Sequence, residues 1–497
     1  MRRHLAPLLL AACASAPAPA PAPAPPPASA PAPAPAEPAY MTSAPALPEA
    51  KIFTPPAPAT WTLPNGLPVV LFEKHSAPLV AMVLAVRAGG NGDPPGKAGL
   101  AALTADLLDE GAGARDALQL AEEIERLGAE LTTGATSEAS MVSLQVLSSR
   151  LPDAAGLLAD VVLRPRFAVK DLERVRGERL ARLAQRKVDP GAVAALAAAA
   201  AVYGDSPYGR PVAGYEKTIA RLGVADVRGD YERFYHPNNA FLVVVGDTRE
   251  SELRPMAERL FGAWKARPVP PLPVAQPAAR PPRLVLVDKP GAAQSTLRIV
   301  EPAIPRADPG YAALQAAVTV LGGSFTSRLE RNLREKHNYT YAARALVDWQ
   351  RGAGPLIVAA DVFTDVTADA VAAALHDLEA LHGPFADDEV RTARALLRHR
   401  FVQESERASG LAHTIAALLA AGAPLDAYQR MDAELARLEA ADLRAAAEAR
   451  VHPERATIVL VGDLAKIRPG IEKLGLGAVE VRDADGLPTR DRRAGSR

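Results

Sequence analysis

From Met141 to Leu147 the chain alternates, with Val142, Leu144 and Val146 on one face and Ser143 and Gln145 on the other. This is the period-2 signature of a half-buried strand. Leu67 to Phe72 and Leu79 to Val86 are continuous apolar runs, and they read as adjacent strands of a hairpin turned at Glu73 to Pro78. Beyond the loop Gly89-Gly90-Asn91-Gly92-Asp93-Pro94-Pro95 the period changes. Leu100, Leu103 and Leu107 recur at helical spacing, and Ala117, Leu120, Ala121, Ile124 and Leu127 mark a second amphipathic helix. Strands followed by helices predict an α+β fold of packed layers.

The pattern returns later in the chain. His236-Pro237-Asn238-Asn239-Ala240-Phe241-Leu242-Val243-Val244-Val245-Gly246-Asp247 matches His452-Pro453-Glu454-Arg455-Ala456-Thr457-Ile458-Val459-Leu460-Val461-Gly462-Asp463. Each copy reads as a turn, a buried strand and a tight Gly-Asp exit, with the histidine belonging to the turn. An internal duplication follows. The expected architecture is two homologous α/β-sandwich halves, each a mostly antiparallel sheet with helices packed on it. A stretch rich in proline, residues 267–282, separates a first half at 59–266 from a second at 283–475, with a polar tail at 476–497.

The start of the chain reads differently. Met1-Arg2-Arg3-His4 is basic and Leu5 to Ala12 is apolar but too short to span a bilayer, which predicts a signal peptide over residues 1–12. Its end, Leu10-Ala11-Ala12-Cys13, resembles a bacterial lipobox and implies acylation of Cys13; the alternative is an ordinary secretory signal with an incidental cysteine. Ala14, not an acidic residue, follows Cys13, which favours the outer membrane. Residues 13–58 are dominated by Ala-Pro repeats, a tether without material for a core.

Composition removes several function classes. With 57 Lys+Arg against 57 Asp+Glu there is no net field to collect nucleic acid. Cys13 is the single cysteine, so the folded part has no disulfide, thiolate metal site or cysteine nucleophile. None of the nine histidines stands three or four residues from another, the spacing that places two ligands on one helical face. Asp106 and Glu110, at i and i+4, could share a hard cation, although such a pair is more often solvated.

Several motifs in order resemble the insulinase/pitrilysin family of zinc peptidases, the inverzincins. They are Leu63-Pro64-Asn65-Gly66-Leu67, Ala88-Gly89-Gly90, the segment Gly99 to Asp106, Ser206-Pro207-Tyr208-Gly209-Arg210-Pro211 and Gly322-Gly323-Ser324-Phe325-Thr326-Ser327-Arg328-Leu329. Active members carry two histidines four residues apart, a glutamate that works on metal-bound water, and a carboxylate ligand from a later helix. Here the resemblance places Ala102 and Asp106 at the two histidine positions and Ala105 at that of the general base. On the later helix, aligned over Leu172 to Leu183, Arg182 takes the carboxylate position and Val175 that of its supporting glutamate.

One element of the family pattern is present. Arg334 and Tyr341 have the spacing of an Arg/Tyr pair that, in the family, holds substrate backbone and stabilises the oxyanion. The alternative is that Arg334 pairs with a carboxylate such as Glu330 and that Tyr341 is only a strand residue. The resemblance implies a non-catalytic subunit that binds peptides or unfolded segments together with a zinc-bearing homologous peptidase. Zinc is expected only in that partner, and the place is the cell envelope, anchored by lipid and facing the periplasm. A scaffold without proteolytic role is the second reading, and a stand-alone zinc peptidase the last.

Overall fold

The structure, a computed structural model, describes residues 51–279, 281 and 283–489. The expected signal peptide, Cys13 and all but the end of the tether lie outside the described residues. The first half opens with β1 (Ala59–Thr62), β2 (Pro68–Glu73), β3 (Leu79–Val86), α1 (Leu100–Asp106), α2 (Ala117–Arg126), β4 (Glu130–Ala135) and β5 (Ser140–Leu147). It continues with α3 (Leu151–Leu163), α4 (Val169–Arg186), α5 (Pro190–Tyr203), α6 (Glu216–Ile219), α7 (Val224–Phe234), β6 (Ala240–Gly246) and α8 (Glu250–Phe261).

The second half begins with β7 (Leu284–Asp288), β8 (Gln294–Pro302), α9 (Tyr311–Gly322), a π-helical turn (Glu330–Lys336), β9 (Thr340–Val347) and β10 (Pro355–Phe363). It ends with α10 (Thr367–Glu379), α11 (Asp387–Glu406), α12 (Ala408–Ala420), α13 (Asp426–Arg437), α14 (Ala440–Arg450), β11 (Thr457–Gly462), α15 (Leu464–Lys473) and β12 (Val479–Arg482).

The strands form two six-stranded sheets, β1-β2-β6-β3-β5-β4 and β12-β7-β11-β8-β10-β9. The two strands of the duplicated motif, β6 and β11, hold equivalent central places, each parallel to one neighbour and antiparallel to the other. Most pairings are antiparallel, as expected. The hairpin expectation fails: β6 runs between β2 and β3, pairing Val69 with Leu242 on one side and Val80 with Gly246 on the other. Every residue of β6 is buried, so its backbone needs a partner on both edges, and the slot between β2 and β3 supplies them.

Side-chain alternation gives each sheet two apolar faces. On the first sheet Met82, Leu84, Leu242 and Val244 meet the helices of their own half, while Ala81, Val83, Phe241 and Val243 face the other way. That second face is covered by α12, which comes from the second half. The exchange is reciprocal, because α5 of the first half lies on Val285, Val300, Val459 and Val461 of the second sheet. Alanines at 194, 197, 198 and 201 of α5 allow that close approach.

Segments read as connectors take part in this packing. Val269 and Leu272, in the proline-rich stretch, pack on the first core, and Ala278 N–H donates to Val202 O at 2.7 Å. In the stretch read as a polar tail, β12 pairs in parallel with β7, and Arg482 donates to Gly486 O at 3.0 Å. At the other end, Phe53 N–H donates to Asp432 Oδ2 at 2.6 Å and its ring lies 5.9 Å from that of Phe401.

Candidate functional site

Helix α1 is short and is positioned from outside itself. The buried carboxylate of Asp93 accepts the N–H groups of Gly99 at 2.6 Å and Ala101 at 2.8 Å, satisfying amides that open the helix. Arg210 of the Ser-Pro-Tyr-Gly-Arg-Pro motif holds the same loop by donating to Asp93 O and Pro94 O, each at 3.0 Å. Gly99 has φ +95° and lies against Gly214, where a Cβ would come within 2.8 Å of the Gly214 Cα. Gly99 and Gly214 therefore let two loops touch.

On α1, Ala102 and Ala105 are buried and Asp106 faces α4. Arg182 comes within 3.5 Å of Asp106 Oδ2, so the two positions that the resemblance placed at a common site do meet. They meet as an ion pair. A second guanidinium, Arg179, is only 8% exposed and donates to the same Oδ2, to Ala102 O at 3.1 Å and to Ala213 O at 3.3 Å. Sequence reasoning missed Arg179; the available signal was its place three residues before Arg182, on the same face of α4.

The rest of the cleft follows the same pattern. Glu110 is bound by Arg174, which also donates to Glu178 at 2.8 Å. Burial pushes the Asp109 carboxyl up to about 6; the charge of Glu110 adds to this, and the Thr133 hydroxyl at 3.3 Å opposes it. Asp106 and Glu110 do not face a common cation, because each is taken by an arginine of α4. Zinc does not fit these residues. Ala102 and Ala105 offer no donor atom, and a dication beside Asp106 would sit against two guanidiniums. No group of three or more His, Cys, Asp or Glu suited to a metal occurs among the described residues.

Arg334 lies in the π-helical turn, and its guanidinium is 3.5 Å from Glu330 Oε2 and 5.5 Å from the Phe325 ring centroid. Glu330 is buried and its Oε1 accepts Ala343 N–H at 3.0 Å, tying the turn to β9. The pairing with Glu330 anticipated as the structural alternative is thus present, and it leaves the guanidinium partly exposed. Tyr341 stands on the edge strand β9, 75% exposed, its ring in edge contact with Phe363 at 5.9 Å. The two repeat histidines serve their turns: His236 Nε2 lies 2.8 Å from Glu232 O, and His452 N–H donates to Glu301 Oε2 at 2.7 Å.

Known proteins share this arrangement of halves. Residues 68–216 match the family model described as Insulinase (Peptidase family M16), and residues 221–397 match the Peptidase M16 inactive domain. An uncharacterized zinc protease of Mycobacterium bovis is 30% identical over 344 residues, covering 68% of this chain and 77% of that protein. A protein of Helicobacter pylori named as a non-peptidase homolog is 26% identical over 183 residues, 37% of this chain and 42% of its own length. Among solved structures, a peptidase M16 inactive domain from Pseudomonas fluorescens superposes with a TM-score of 0.76 at 25% identity, over 82% of this chain and 97% of that one. A chain of complex III2 from Candida albicans gives 0.71 at 15% identity, over 84% and 99%, a likeness of fold alone.

Proposed function

This chain belongs to the insulinase family of peptidases, family M16, and on that premise we propose that it is a non-catalytic subunit lending Arg334 and Tyr341 to a zinc-bearing homologous partner. The observation that carries the reading is the pairing of Asp106 with Arg179 and Arg182 at the positions where the family resemblance puts metal ligands. A site built this way has no means of generating hydroxide near neutral pH. No zinc is required by this chain; the metal belongs to the partner.

The exposed half of the Arg334 guanidinium and the Tyr341 phenol are donors that can be aimed at charge developing on a peptide carbonyl. The substrates are peptides or unfolded segments. Acylated Cys13 holds the complex on the outer membrane, facing the periplasm, and Cys13→Ser releases it to the soluble fraction. A scaffold role is the second reading, favoured by the engagement of Arg334 with Glu330.

Metal analysis and a peptide panel test the proposal. The purified chain holds no stoichiometric zinc and cleaves nothing, whereas the complex recovered from membranes contains a second chain with His-x-x-Glu-His and cleaves peptides. Tight zinc at about one per chain with chelator-sensitive hydrolysis by this chain alone would overturn it.

A further inference from the structure

Away from the cleft, α9, α11, α12 and α13 enclose a pocket of about 420 Å³. Its walls are apolar faces: Tyr311 and Trp349, with ring centroids 4.4 Å apart, Phe401 and Tyr428, 4.9 Å apart, and Leu418 and Met431. Two of the polar atoms on these walls are already used inside the protein. Trp349 Nε1–H donates to Gln315 Oε1 at 2.8 Å, and the Tyr428 hydroxyl lies 2.6 Å from Ser405 Oγ. The size and lining are those of a small-molecule site.

One lining cation has no protein acceptor among the described residues. The half-buried guanidinium of Arg306 stacks on the Tyr311 ring at 3.5 Å and makes no hydrogen bond or ion pair among the described residues. Stacking uses the face of a guanidinium and leaves its N–H edges open. Burial pushes the Arg306 pKa down, and the nearby Tyr311 and Glu434 oppose the shift only in part. Exposed Arg400 and Glu404 also line the pocket, so its charged groups carry one net positive charge. A half-buried guanidinium with open N–H edges beside apolar walls offers a charge-assisted hydrogen bond to an anion that brings its own apolar body.

We infer that this pocket binds a small carboxylic acid with an apolar body, its carboxylate on Arg306 and its alkyl or aryl part against Trp349, Phe401 and Met431. The inference is independent of the subunit reading, since it uses neither the Asp106 cleft nor Arg334. An acyl chain and an aromatic acid share this chemistry.

Calorimetric titration of the full chain with decanoate, 4-phenylbutyrate and decan-1-ol tests it, with Trp349 fluorescence as a local reporter. One saturable site is expected for an acid, at least about tenfold tighter than for the alcohol, because the charged hydrogen bond is lost with the carboxylate. Whichever acid binds tighter identifies the source class, and either ranking supports the site. Arg306→Gln should weaken acid binding by about tenfold or more and leave the alcohol unchanged. Arg400→Gln, on an exposed side chain, gives a smaller loss in a chain whose folding is not at risk. Equal affinity for acid and alcohol, or no saturation by millimolar acid, would overturn the inference.

Discussion

Arg179 reaches from α4 to Asp106 on α1 and ties the two helices at which the family resemblance puts the metal ligands. The same guanidinium closes on the carbonyls of Ala102 and Ala213, so a single side chain holds α1, α4 and the loop before α6. Asp106→Asn should destabilise the chain by about 2–3 kcal/mol, since it strands a buried arginine while the carboxylate it removes is a quarter exposed. Urea unfolding reads the loss. Zinc added to the native chain should leave its Tm unchanged, because only a ligand that binds the folded state raises it.

The Arg/Tyr pair separates the subunit reading from the scaffold reading. In a reconstituted complex, Arg334→Ala or Tyr341→Phe should lower turnover by about 10²–10³ with assembly intact by size exclusion. The loss belongs mainly in kcat, since a contact made only in the transition state does not hold the bound substrate. Unchanged kinetics in an assembled complex would leave the chain as a scaffold.

Stability should fall as pH rises from about 4 to about 7. Burial pushes the Asp230 carboxyl up to about 7, the charge of nearby Asp93 adds to the shift, and Asp93 is itself raised to about 6. The folded state thus keeps a proton on Asp230 up to about pH 7 that the unfolded chain releases near 3.8. Between those values the folded state binds more protons, so each step up in pH costs stability. Asp230→Asn should flatten that slope and raise stability at pH 8 by about 2 kcal/mol, read from Tm at a series of pH values.

The crossed helices make the halves interdependent. Residues 52–266 expressed alone leave the Val83 and Val243 face bare of α12, and residues 283–489 alone leave the Val459 and Val461 face bare of α5. Each should be insoluble or molten by near-UV circular dichroism, and the two should recover native signal when co-expressed. A folded, soluble single half would show that the exchanged helices are dispensable.

Elements with a clear local period were legible. The alternation of Ser140–Leu147 and the leucine spacing of α1 and α2 appear where the pattern put them, and the twelve-residue repeat became the two central strands. The hairpin error at β2 and β3 has a physical cause: nearness along the chain favours pairing, but the fully buried β6 competes for the same edges and closes a loop of well over a hundred residues to do so.

By itself the sequence determined the duplication, the layered class and the lack of a donor atom on Ala102 and Ala105, because periodicity and the absence of a ligating atom are properties of residues whatever their neighbours. Only the tertiary structure decided that Arg179, and not Arg182 alone, engages Asp106 across 73 residues, that α5 and α12 each cover the other half's sheet, and that the Arg306 guanidinium lines a pocket with no protein acceptor on it among the described residues. Those outcomes depend on which surfaces meet once two sheets, each apolar on both faces, have to be covered, and no local pattern encodes that choice.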